Sequence, residues 1–187
     1  MQALEKLKVK PKTKILFIIT IMAMLGFILL SAFILSPIEE EVSSLTGFGI
    51  LDFEFAWTPD RVSEIFQAWG EFGKERETLA IWVDFLYIPC YGLFIFGAIT
   101  LASRMIRGKW QDIGVHVSLM SLIAGVFDVI ENINLLWMLM DDSHVNSLSP
   151  LIASISATIK FSLLIAGIAF FFIALAIILK QHVKKDA

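Results

Sequence analysis

Asp128, Glu131 and Asn132 stand at i, i+3 and i+4 within the run 121–137, SLIAGVFDVIENINLLW, so a helix here would carry two carboxyls and an amide on one face. Ser121 and Gly125 continue the same stripe. The run is otherwise apolar and of membrane-spanning length. An acidic residue near the centre of such a helix costs roughly 2.5–3.5 kcal/mol, so Asp128 and Glu131 must find partners, take up protons or be used. Asp84, Tyr87 and Tyr91 make a second polar stripe at i, i+3 and i+7, with Pro89 inside it. Lys160 is a lone cation ten residues into a further apolar run, too deep for its ammonium to reach the near membrane surface comfortably.

These groups fall on one level. At 1.5 Å per residue, Asp84 lies about 8 Å from the acidic ends of the runs, Tyr87 and Glu131 about 12, Lys160 about 15, Asp128 about 16 and Tyr91 about 18. The natural partner of Lys160 is Asp128 or Glu131. Three carboxyls against one ammonium leave a surplus of negative charge, which a proton, a cation or a cationic ligand should complete. Pure structural glue between helices would not need that surplus; ligand binding, proton relay and acid/base chemistry would. The candidate site is therefore Asp84, Tyr87, Tyr91, Asp128, Glu131, Asn132 and Lys160.

The elements that must position these residues follow from hydropathy. Of the 187 residues 57% are hydrophobic, 16 are Phe, and the mean hydropathy is +0.78, beyond soluble usage. Four apolar runs, 15–36, 79–103, 113–139 and 150–179, predict an all-α integral membrane protein, a single-domain bundle of four transmembrane helices. The first follows Lys6, Lys8, Lys10, Lys12 and Lys14 in the manner of a signal peptide, but it is too long and lacks a small-x-small cleavage site, so it reads as a retained span. Pro37 is expected to end it. Pro89 should kink the second helix beside Asp84 by removing one backbone bond.

The segment 37–78 is the most acidic, with ten Asp and Glu against Arg61, Lys74 and Arg76. Within it, Thr58-Pro59 is a helix start, and Val62, Ile65, Phe66 and Trp69 recur at i, i+3, i+4 and i+7. That pattern predicts a short amphipathic helix between the first two spans, on the outer membrane surface, with Trp57, Trp69 and Trp82 at interface depth. The acidic segment reads as a solvated loop, or alternatively as a lid over the site. Basic residues gather at the N-terminus, at Arg104, Arg107 and Lys109, and at Lys180, Lys184 and Lys185, so the positive-inside pattern puts both termini in the cytoplasm and the chain in the cell membrane.

Several chemistries are disfavoured. Cys90 is the single cysteine, so no intrachain disulfide forms, and packing suits it better than reactivity. A hard-cation site from Asp84, Asp128, Glu131 and Asn132 lacks histidine, while His116, His144 and His182 sit toward helix ends or in loops. A Schiff-base role for Lys160 would need more than four helices to enclose a chromophore. Phosphate-loop, nucleophile-elbow, haem and dinucleotide motifs are absent, no cofactor is called for, and the basic tails reflect topology rather than nucleic acid. Two function classes remain foremost: a pocket that binds or transports a small polar or amphipathic ligand or protons, and an intramembrane enzyme using carboxyl acid/base chemistry on a lipid or isoprenoid-like substrate. A third is an accessory subunit of a membrane complex. The bilayer is the expected partner, with a lipid or small-molecule ligand and a second protomer or complex partner as further candidates.

Overall fold

The computed structural model describes residues 6–142 and 145–186. It is all-helical: α1 Thr13–Leu30, a π-helical turn Ser31–Leu35, α2 Ser36–Thr46, α3 Ile50–Glu54, α4 Pro59–Met105, α5 Lys109–Met140 and α6 Leu148–Asp186. Among the described residues, four helical stretches are long and apolar enough to cross a membrane. Helix α5 packs against both α4 and α6, and α1 packs mainly on α4. One end of the bundle is acidic, around α2, α3 and the α5–α6 connection; the other is basic, around Arg104 and Lys109.

Pro37 does not stop the first helix. The π-helical turn directly before it donates the Ser36 N–H back to the Ser31 carbonyl, and this wider spacing takes up the register change that a residue without an N–H imposes. The rod continues to Thr46 and ends at Gly47, whose left-handed backbone (φ +80°) is a helix stop that glycine adopts without strain. Much of the segment read as loop is therefore helix.

Helix α4 starts at the Thr58-Pro59 signal, the Thr58 hydroxyl accepting the Arg61 N–H at 3.3 Å. Its first turns turn Val62, Ile65, Phe66 and Trp69 inward, all buried. Trp69 is thus a core residue rather than an interfacial one: its indole N–H donates to the Phe48 carbonyl at 2.9 Å, and its ring meets Phe53 edge-on at 5.3 Å. Trp57 and Trp82 are exposed. Helical backbone angles persist through Pro89, and the break in α4 falls instead at Gly70 (φ 57°, ψ −165°), where the short amphipathic turns end, more than two turns before the apolar run that starts at Leu79. No residue beside Asp84 leaves helical backbone angles.

Two apolar cores result. At the acidic end Phe53, Val62, Ile65 and Trp69 close with Leu135 and Met138; at the basic end Ile99, Ala102, Ile106, Phe170 and Ala174 fill the bundle. The Arg104 guanidinium ties the N-terminal segment to the basic end through the Leu7 and Pro11 carbonyls, each at 2.9 Å.

Gly70 holds a conformation close to the region reserved for glycine, and a Cβ there meets nothing within 4 Å, so any cost of Gly70→Ala is backbone strain alone. The expected loss is about 1–3 kcal/mol, read as a lower Tm of the detergent-solubilised protein. An unchanged Tm would show that the two parts of α4 do not need this turn.

Candidate functional site

Lys160 is on the inner face of α6, one turn beyond the small residues Ala153, Ser156 and Ala157 that let α6 approach its neighbours closely. Its ammonium meets three carboxyls: Glu131 Oε1 at 2.9 Å, Asp128 Oδ1 at 3.0 Å and Glu54 Oε1 at 3.4 Å. The Phe161 ring lies 4.7 Å from Nζ, adding a cation–π contact. Asp128 spends its other oxygen on the Tyr91 hydroxyl, which donates at 2.7 Å, and Asn132 donates to Asp84 Oδ2 at 2.7 Å. Six of the seven residues singled out in the sequence thus stand in one polar row across α4, α5 and α6. The seventh, Tyr87, turns toward α1, its ring stacked on Phe27 at 5.2 Å and 5.6 Å from the Tyr91 ring.

Glu54 is the member sequence reasoning missed. It falls in the segment read as a solvated loop, yet α3 folds down into the bundle and buries it to 8% exposure. Two hydrogen bonds from one hydroxyl fix that descent: Ser154 Oγ donates to the Glu54 carbonyl at 2.8 Å and accepts the Trp57 N–H at 3.0 Å. Trp57 takes a positive φ of 60° where the chain turns back out. Burial pushes the Glu54 carboxyl above the usual carboxylate range, against the pull of the Lys160 ammonium. The only sequence signal for this was the alternation of acidic and apolar residues over 50–55, which places Phe53 in the core and its neighbour Glu54 beside it.

Glu77 was missed as well. It shares one face of α4 with Asp84 and Tyr91, at successive spacings of seven residues, and it is 1% exposed, yet Oε1 has no hydrogen-bond partner among the described residues. Glu54 Oε2 and Glu131 Oε2 are buried in the same condition.

A cavity of about 570 Å³ opens beside these groups, between α2, α3 and α4 with Asn132 of α5 as part of its floor. Glu39, Glu40, Glu54, Glu77 and Asp84 are its acidic lining and Leu35, Ile50, Ala80 and Ile81 its apolar lining. The Glu39 carboxylate accepts the Ile50 N–H at 2.9 Å and so holds the start of α3 against α2. Toward the basic end the polar row stops. Ser121 donates to the Gly92 and Ser118 carbonyls, Ser118 to Val115, and beyond them lies the Ile99–Phe170 core.

Asp84 and Asn132 pair with each other while Asp128 and Glu131 converge on Lys160, so these four do not surround one point; among the described residues no group of three or more His, Cys, Asp or Glu has metal-holding geometry. Cys90 is half-buried and packs toward Gly26 of α1, and the exposed His116 ring bonds the Asp112 carbonyl within its own helix. His144 and the side chain of His182 lie outside the described residues. Compared with known proteins, the chain matches no family model, and neither curated proteins nor solved structures give a match.

Two substitutions report on this network without changing its volume much. Tyr91→Phe leaves Asp128 Oδ2 without its donor and should cost about 1–3 kcal/mol. Ser154→Ala strands the Trp57 N–H and the Glu54 carbonyl, with a loss of similar size, and should also raise hydrogen exchange over 50–58. Wild-type Tm and exchange in both variants would show that neither hydroxyl holds the site.

Proposed function

We propose that the chain is an integral protein of the cell membrane, with both termini in the cytoplasm and an outward-facing pocket that binds a small polar or amphipathic ligand. The four apolar helices support the membrane reading, as do their outward faces, which carry large exposed residues such as Phe33, Leu86 and Phe172. The charge asymmetry between the basic and acidic ends supports the orientation. In this reading α2, α3 and the first turns of α4 form an extracytoplasmic cap.

One observation carries the pocket: a cavity of ligand size, walled by apolar side chains and by carboxyls, reaches from the acidic end to a buried glutamate with an unpartnered oxygen. Packed membrane interiors do not retain unpartnered carboxyl oxygens without a use. The closed apolar core in the basic half favours binding in a dead-ended pocket over a continuous polar pore. Binding is accordingly the primary activity, and transport would require that core to open.

Thiol labelling tests pocket and orientation together. In a Cys90→Ala background, Ser43→Cys at the cavity rim and Glu77→Cys within it should react with a small water-soluble thiosulfonate added outside intact cells, whereas Arg107→Cys should react only after permeabilisation. The opposite pattern overturns the orientation. Reaction at Ser43→Cys without reaction at Glu77→Cys from either side overturns the pocket.

A further inference from the structure

We infer that the pocket takes an amphipathic organic cation, a protonated amine on an apolar body, with the ammonium seated between Glu77 and Glu54. This rests on the pocket reading above and names the chemical class that the pocket selects.

The charge balance points to it. Every acid on the cavity wall except Glu77 and the outermost, Glu40, is at least partly engaged: Glu39 by the Ile50 N–H, Glu54 Oε1 by Lys160, Asp84 by Asn132. Glu77 is 99% removed from solvent and Oε1 meets no donor among the described residues, while Glu54, buried beside Lys160 and against the Glu131 carboxyl, has no donor at Oε2. No Lys or Arg is among the lining residues. The Arg76 guanidinium pairs with Glu41 of α2 and is not among the lining residues, and Lys160 is already shared among three carboxyls. A donor-rich cation satisfies both orphaned oxygens at once, since an ammonium carries three N–H groups and no acceptor.

The rest of the cavity selects among cations. Glu77 and Asp84 lie two turns apart on α4, a rise of about 10.5 Å, so the carboxyls are strung along the wall instead of gathered into the tight oxygen cage a metal ion needs. Between them on the same face Ala80 and Ile81, with Leu35 and Ile50 from the π-helical turn and α3, offer an apolar surface that a hydrated inorganic ion would leave unused and an alkyl or aryl body would cover. Carboxylates and phosphates would meet further carboxyl oxygens with no Lys or Arg on the wall, and a neutral alcohol brings a single donor and no compensating charge.

The test uses the full chain in nanodiscs of zwitterionic phosphatidylcholine, titrated with octylamine, octanol and octanoate and read by thermal unfolding. Octylamine should stabilise the protein at concentrations at least tenfold below octanol, and octanoate should not stabilise it. Glu77→Gln should weaken the octylamine response about tenfold and bring it to the octanol level, Ala80→Trp should abolish it by filling the cavity, and Glu75→Gln on the exposed side of α4 should leave it unchanged. If Glu77→Gln does not fold, Glu54→Gln, on the other side of the ammonium's seat, reads the same loss of selectivity. Equal responses to amine and alcohol that Ala80→Trp removes would overturn the cationic class and keep the pocket. Absence of any response, or responses that survive Ala80→Trp, would overturn the pocket itself.

Discussion

A buried ammonium has to be surrounded, and the surroundings of Lys160 decide how this chain folds. Its Nζ touches carboxyls from α3 and α5, and through Asp128 it reaches the Tyr91 hydroxyl of α4. Removing one partner of a buried ion pair typically costs about 3–5 kcal/mol because the other is left charged and alone. Elements that would otherwise slide along one another on apolar surfaces are thereby held at one depth. Such pairing contributes register and specificity more reliably than it contributes net stability.

The same constraint builds the cavity. For Glu54 to reach Lys160, α3 has to descend between α2 and α4, and Ser154 and Glu39 fasten it at either side. With Phe53 and Trp69 packed behind it, α3 supplies one wall of the space that Glu77 and Asp84 also line. Among the described residues Glu77 has no counterpart of Lys160, so the polar row that gathers around an ammonium at one level has none one step nearer the acidic end. The proposed ligand-binding role rests on that difference rather than on the ion cluster.

Much of this could be read in the residues. Lys160, Asp128 and Glu131 could be paired by counting from helix ends, because depth in an apolar run is set by helical rise. What stayed hidden was whatever depended on the path of segment 37–78. Its ten acidic residues match a solvated loop in composition, and composition cannot show that Phe53 drags Glu54 inward or that Glu77 faces the bundle. Pro37 and Pro89 misled for a related reason: proline removes a hydrogen bond, but a π-helical turn or undisturbed neighbouring turns can absorb the loss. The actual break came at Gly70, where only the backbone angle, invisible in a helical hydropathy pattern, marks the position.

The central claim is that the ammonium and its carboxyls act as one unit, and a double-mutant cycle on Lys160→Met and Glu131→Gln measures this directly. Both side chains are buried and 2.9 Å apart. Reversible unfolding in detergent should give a coupling energy of about 1–3 kcal/mol, the double variant being more stable than the sum of the single losses implies. Additivity within about 0.3 kcal/mol would mean that the two groups do not depend on one another, contradicting the account of both the fold and the cavity.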